Sequence, residues 1–263
     1  MHKQNKFRSL RFTIYVANIL EHFETSLYGF LVPIIAPLFF PESSHLASII
    51  KGYGLMIMGI ISRPLGAYYF SKKAQKSPQS ALVLTIAGIT TATILIGILP
   101  VSKDHWILFA CLLVLAKTFQ NFFASGEVNV ANIWTQNLTA YGKRNFTEGF
   151  FLNSTIVGIL MANFAASIIL KYPTYWRAPF IFSALISLVI VLIRKKSKPL
   201  ELKITHTSEK EGINWKTVFS LTPITGLGYM LYAIPFILMN SLIPLINKDL
   251  SLIHISEPTR PLY

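Results

Sequence analysis

The 263 residues are 52% hydrophobic and only 13% charged, with a mean hydropathy of +0.51, whereas soluble domains carry about twice that charge. This composition excludes an ordinary soluble domain and describes an all-α polytopic membrane protein. The net charge of +13 does not mark a nucleic-acid binder, because the lysines and arginines fall in short stretches between apolar segments, a pattern set by membrane topology.

Seven apolar segments follow in chain order: 12–40, 47–70, 81–101, 106–134, 149–170, 178–193 and 218–246. Each meets or approaches the ~20 residues that a membrane helix requires. The basic start (Lys3, Lys6, Arg8, Arg11) followed by an apolar run has the look of a secretory signal, but six later spans argue against one. The N-terminal tail, the stretch with Lys72, Lys73 and Lys76, the stretch with Lys143 and Arg144, and residues 194–210 are all basic. The alternate loops are nearly free of Lys and Arg, with the one around Lys171 and Arg177 the weakest case. The positive-inside rule therefore expects a cytoplasmic N-terminus. Residues 1–193 are expected to form a six-helix bundle, 194–215 a polar cytoplasmic linker, and 216–249 the first helix of a second half. Residues 250–263, LSLIHISEPTRPLY, resemble the translation of a sequencing-library adapter. They are expected to be an assembly scar, with the natural protein continuing beyond Asp249 into a missing C-terminal half.

Two glutamates, Glu21 and Glu24, stand inside the first segment, three residues apart on one helical face, with Tyr28 a turn further along. At about 1.5 Å per residue both carboxylates fall near the bilayer midplane. Such a pair suits a group that binds and releases a proton during a cycle, or else salt-bridges to a basic residue on another helix. Lys117, at similar depth in the fourth segment, is the expected partner. Gln120 and Glu127 share a face of that helix, and Glu127 should lie level with Arg63 of the second segment, suggesting a second pair. Small-residue stripes at Gly158, Ala162 and Ala166 and at Gly59, Ser62 and Gly66 read as close helix contacts. Pro33 and Pro37 should bend the first helix. Walker, GxGxxG and GxSxG signatures and paired metal-ligand His or Cys are missing from the sequence, so no enzyme, cofactor or metal is expected. His22, beside Glu21, reads as a packed or interfacial histidine before a pH sensor.

These residues resemble the metabolite–proton symporter branch of the major facilitator superfamily. Its first helix typically carries E-W-[FY]-D-[FY], then Y-G and F-F-P; Glu21, Phe23, Tyr28, Gly29, Phe39, Phe40 and Pro41 match, while His22 replaces Trp and Glu24 replaces Asp. Arg63, Pro64 and Gly66 match its R-P-x-G, and Gln120, Gly126 and Glu127 match its R-x-x-Q-G and G-G-E, with Lys117 in the Arg position. Trp176, Arg177, Pro179 and Phe180 match its W-R-x-P-F. The acidic residue usual between helices two and three is missing from the stretch Ser71 to Gln79.

The resemblance implies a superfamily-like N-terminal six-helix bundle plus helix seven, in a bacterial cytoplasmic (inner) membrane, multi-pass. It implies a symporter that moves a small polar metabolite, such as proline, betaine or an organic acid, with protons by alternating access. The expected proton and substrate contacts are Glu21, Glu24, Lys117, Tyr28, Phe23 and Gln120, with Phe23 and Tyr28 meeting an onium group by cation–π attraction, and Arg63 with Glu127 as a gating pair. The expected partners are the substrate, protons and the lipid bilayer. The altered second loop keeps a second class open, a carrier-derived membrane sensor or scaffold that does not transport.

Overall fold

The computed structural model describes residues 2–41, 44–137 and 139–196, together with isolated positions between 216 and 231. The chain divides into two units, Met1–Glu201 and Leu202–Tyr263. The first holds six helices: α1 His2–Phe39, α2 His45–Lys76, α3 Pro78–Ile98, α4 Trp106–Asn137, α5 Arg144–Lys171 and α6 Ala178–Lys196. All six contain stretches long and apolar enough to cross a membrane. Most of the expected seventh span, most of the linker and all of the segment 250–263 lie outside the described residues.

Helix ends differ from the hydropathy boundaries in an informative way. The α2 helix runs six residues past the apolar segment, so Lys72, Lys73 and Lys76 stand on its last turns and not in a loop. There they face the negative end of the helix dipole. Ser77 alone separates α2 from α3; its hydroxyl accepts from the Ser80 amide at 3.3 Å, and Pro78 takes the first turn, where no amide donor is needed. Ser44 caps α2 likewise through Ala47 N. The α6 helix continues through Arg194 to Lys196, three residues into the expected linker.

Glycines set the closest helix crossings, because the groups a Cβ would strike are already in place. At Gly52 a Cβ would come within 2.7 Å of Ala36 Cβ, which seats α2 on α1. At Gly66 it would strike the Phe122 carbonyl and Ser125 Oγ of α4, and at Gly158 it would meet α1 at the Ile19 carbonyl and His22 Cβ. The small-residue stripes are thus packing surfaces, as their spacing suggests. Pro33 and Pro37 both lie inside the unbroken α1. Pro33 cannot donate to the carbonyl four residues back, Gly29, and the Tyr53 hydroxyl from α2 donates to that oxygen at 3.3 Å instead.

Candidate functional site

Among the described residues the apolar interior of the bundle holds three carboxylates, each at most 2% exposed: Glu21, Glu24 and Glu127. Each is solvated by the protein in a different way.

Glu24 lies thirteen residues into the membrane stretch of α1, which begins at Arg11, or roughly 20 Å by helical rise. Its carboxylate is held by neutral donors from three other helices. Ser183 of α6 donates to Oε1, and Thr93 of α3 donates to Oε2. Gln120 Nε2 of α4 also reaches Oε2, at 3.1 Å, and shares its second hydrogen with Thr93 Oγ1 at 2.9 Å. Thr93, Ser183 and Gln120 are all buried. Lys117 does not touch either glutamate. Its ammonium donates to Gln120 Oε1 at 2.6 Å and sits 4.4 Å from the centre of the Tyr28 ring, and among the described residues it has no carboxylate at ion-pair distance. The expected Lys117–glutamate pair is therefore corrected to a relay, in which the Gln120 amide binds Lys117 through its oxygen and Glu24 through its nitrogen. Tyr28 is fixed in turn by donating to the Gly52 carbonyl at 3.1 Å.

Glu21, one turn earlier, faces another direction. Arg63 Nη2 of α2 lies 3.3 Å from its Oε1, and Thr25 donates to the same oxygen at 3.3 Å. Arg63 Nε also donates to Asn121 Oδ1 at 3.2 Å. The Nδ1 of His22 lies 2.7 Å from Glu21 Oε2. That nitrogen is also 2.9 Å from the Asn18 carbonyl, and Oε2 itself accepts no hydrogen bond.

Glu127 takes a different cation from the one expected. Its two oxygens receive a forked pair of hydrogen bonds from Arg194, Nη2 at 2.7 Å and Nη1 at 3.0 Å, and Thr85 adds a third at 2.6 Å. Arg194 further donates to the carbonyls of Leu82 at 2.8 Å and Thr13 at 3.2 Å. One guanidinium thereby binds α1, α3 and α4 to the end of α6. The expected Arg63–Glu127 gating pair is not formed: Arg63 turns to Glu21 and Asn121, and Arg194 fills the place opposite Glu127. Equal depth brought Arg63 and Glu127 to the same level, but rotation about each helix axis decides which side chains meet.

Phe23 is a buried packing residue with no cation over its ring among the described residues, whereas the Tyr28 ring carries the Lys117 ammonium. Thr93, Ser183 and Arg194 are among the contributors that escaped the sequence reading. Thr93 and Ser183 gave no signal, since hydroxyls are frequent in membrane helices. Arg194 gave a faint one: the apolar run 178–193 falls short of the ~20 residues needed to span, so the helix had to continue into the basic residues. Trp176 and Arg177, matched to the family pattern, serve the framework. The Arg177 guanidinium lies 4.5 Å from the Trp176 ring and donates to the carbonyl of Leu99, which ends α3, at 2.8 Å.

Comparison with characterised proteins gives this arrangement a context. The chain is 28% identical over 211 residues to the citrate-proton symporter of Klebsiella pneumoniae, covering 77% of this chain and 47% of that protein. It is 22% identical over 204 residues to the alpha-ketoglutarate permease of Escherichia coli K12 (74% and 47%). It is 25% identical over 189 residues to the proline/betaine transporter of Salmonella typhimurium (68% and 37%). The chain spans about half the length of the curated relatives it matches. No family model matches the chain, and no solved structure matches it. With six apolar membrane-length helices among the described residues, the chain is a multi-pass membrane protein that is similar, over about two thirds or more of its length, to citrate-proton symporters, proline/betaine transporters and related permeases.

Proposed function

We propose that residues 1–196 form the first six-helix half of a proton-coupled symporter for a small polar metabolite, a zwitterion of the proline or betaine kind or an organic acid. In this reading the protein lies in the bacterial inner membrane with its N-terminus in the cytoplasm. Residues 216–249 begin the second half, whose remainder lies beyond this chain, and the substrate binds between the two halves.

The observation that carries the reading is the setting of Glu24. A buried carboxylate meant only for architecture is best held by a cation, as Glu127 is by Arg194. Among the described residues Glu24 instead meets hydroxyl and amide donors alone, which can hold either protonation state: Ser183 and Thr93 can each turn to accept from a protonated carboxyl. Four helices contribute to this cluster, so a change at Glu24 is felt by α1, α3, α4 and α6 together. Lys117 supplies the second element, a buried ammonium joined to Glu24 through Gln120 and, among the described residues, without a carboxylate at ion-pair distance. It suits the carboxylate common to amino acids, betaines and organic acids. Glu21, with Arg63 and His22 beside it, is the second proton-handling group of the site.

The test is substrate-dependent proton movement in vesicles carrying the whole-gene product. Citrate, 2-oxoglutarate, proline and betaine are added in turn, and external pH and labelled uptake are followed together. Symport predicts alkalinisation in step with uptake for at least one of them; uptake without any proton movement overturns proton coupling.

A further inference from the structure

His22 stands where the family pattern has Trp, and its surroundings give it more to do than pack. It is 23% exposed, beside Arg63 at 39%, whereas the Glu21 between them is 1% exposed. Two oxygens crowd its Nδ1, the Asn18 carbonyl at 2.9 Å and Glu21 Oε2 at 2.7 Å. In the neutral ring Nδ1 must therefore carry the hydrogen, leaving a lone pair on Nε2. That hydrogen serves Asn18, and Glu21 Oε2 stays without a hydrogen bond although buried. An unsatisfied buried carboxylate oxygen at contact distance from an N–H needs an explanation.

We infer that His22 is a proton-exchange residue that connects the more exposed side of α1 to Glu21, an inference that rests on the symport reading above. A proton from solution adds to the Nε2 lone pair, the Nδ1 proton passes to Oε2 of Glu21, and the neutral ring is left protonated on Nε2. In that state the Nδ1 lone pair opposes the Asn18 carbonyl; the ring resets when Nδ1 takes the proton back from Glu21 and Nε2 returns one to solution, so the relay loads and unloads Glu21 by the same two steps. Neighbouring contacts hold the ring over Glu21 for this transfer. Asn18 is anchored to α5 through Ser154 Oγ at 2.7 Å and Thr155 Oγ1 at 2.9 Å, and Gly158 lets α5 close on His22 Cβ. Among the described residues the charged groups acting on the ring are Glu21 on its own helix and Arg63 from α2, while α5 meets His22 Cβ at Gly158, which does not titrate.

Ring-nitrogen-labelled histidine in the 263-residue chain, reconstituted in lipid nanodiscs, allows a direct test by NMR, with His22→Asn identifying the signal. The relay predicts that His22 changes protonation between about pH 5 and 8, and that its midpoint is displaced in Glu21→Gln. A ring fixed in one state, or a titration indifferent to Glu21→Gln, overturns it. In the whole-gene product, His22→Asn keeps an N–H for Asn18 but cannot relay. Proton-driven uptake should fall by about 100-fold, the low end of what a positioned proton-transfer group contributes, with counterflow exchange intact. Full driven uptake in this variant, or loss of counterflow along with it, shows a structural histidine and overturns the inference. Failure of the symport reading would look different, since the wild type itself would then move no protons.

Discussion

Glu24 and Glu127 are each 1% exposed, yet the protein treats them in opposite ways. Glu127 is locked by a forked guanidinium and a threonine hydroxyl, and the two Nη atoms of Arg194 spend their other hydrogens on the carbonyls of Leu82 and Thr13. Glu24 has no cation at ion-pair distance among the described residues and rests on three neutral donors. The contrast separates two uses of a buried carboxylate. A forked ion pair resists any change of charge, because losing either partner strands the other in a low dielectric. A cradle of hydroxyls and an amide tolerates the change, because its donors can reorient.

The largest effect should come from breaking the locked pair. Glu127→Ala or Arg194→Ala each leaves a buried charge unpaired and should cost about 3–5 kcal/mol in denaturant unfolding of the purified chain. The double variant Glu127→Leu with Arg194→Met should recover much of that loss. If each single variant is as stable as the wild type, the lock does not exist. Thr93→Val keeps shape but removes a donor from Glu24, and should cost about 1–3 kcal/mol while impairing transport more than Ser183→Ala does, since Thr93 binds both Glu24 and Gln120. Glu24→Gln removes the charge and keeps the shape, so it should change stability by no more than about 1 kcal/mol. A cost as large as that of Glu127→Ala would erase the distinction between the two sites. Arg63→Gln should have the smallest effect on stability, within about 1 kcal/mol, because Arg63 is half-exposed.

Much of this was legible in the sequence, and the part that was not has a geometric reason. Membrane spans follow from apolar length, and Glu21, Glu24, Lys117 and Gln120 stand out because polar side chains in hydrocarbon are costly. Depth is readable at about 1.5 Å per residue; rotation about a helix axis is not, which is why Lys117 was matched to a carboxylate and Arg63 to Glu127. Arg194 stood among lysines at the end of an apolar run and read as a topology signal, although its side chain turns inward to Glu127. Thr93 and Ser183 are ordinary residues for a membrane helix, and only the packing of α3 and α6 on α1 gives them a role.

The central claim is that Glu24 carries a coupling proton and is not architectural, and Glu24→Gln in the whole-gene product tests it most directly. Proton-driven accumulation and substrate counterflow are measured in the same vesicle preparation. The account predicts that accumulation is lost while counterflow continues at near wild-type rate. Accumulation that persists in Glu24→Gln would contradict it.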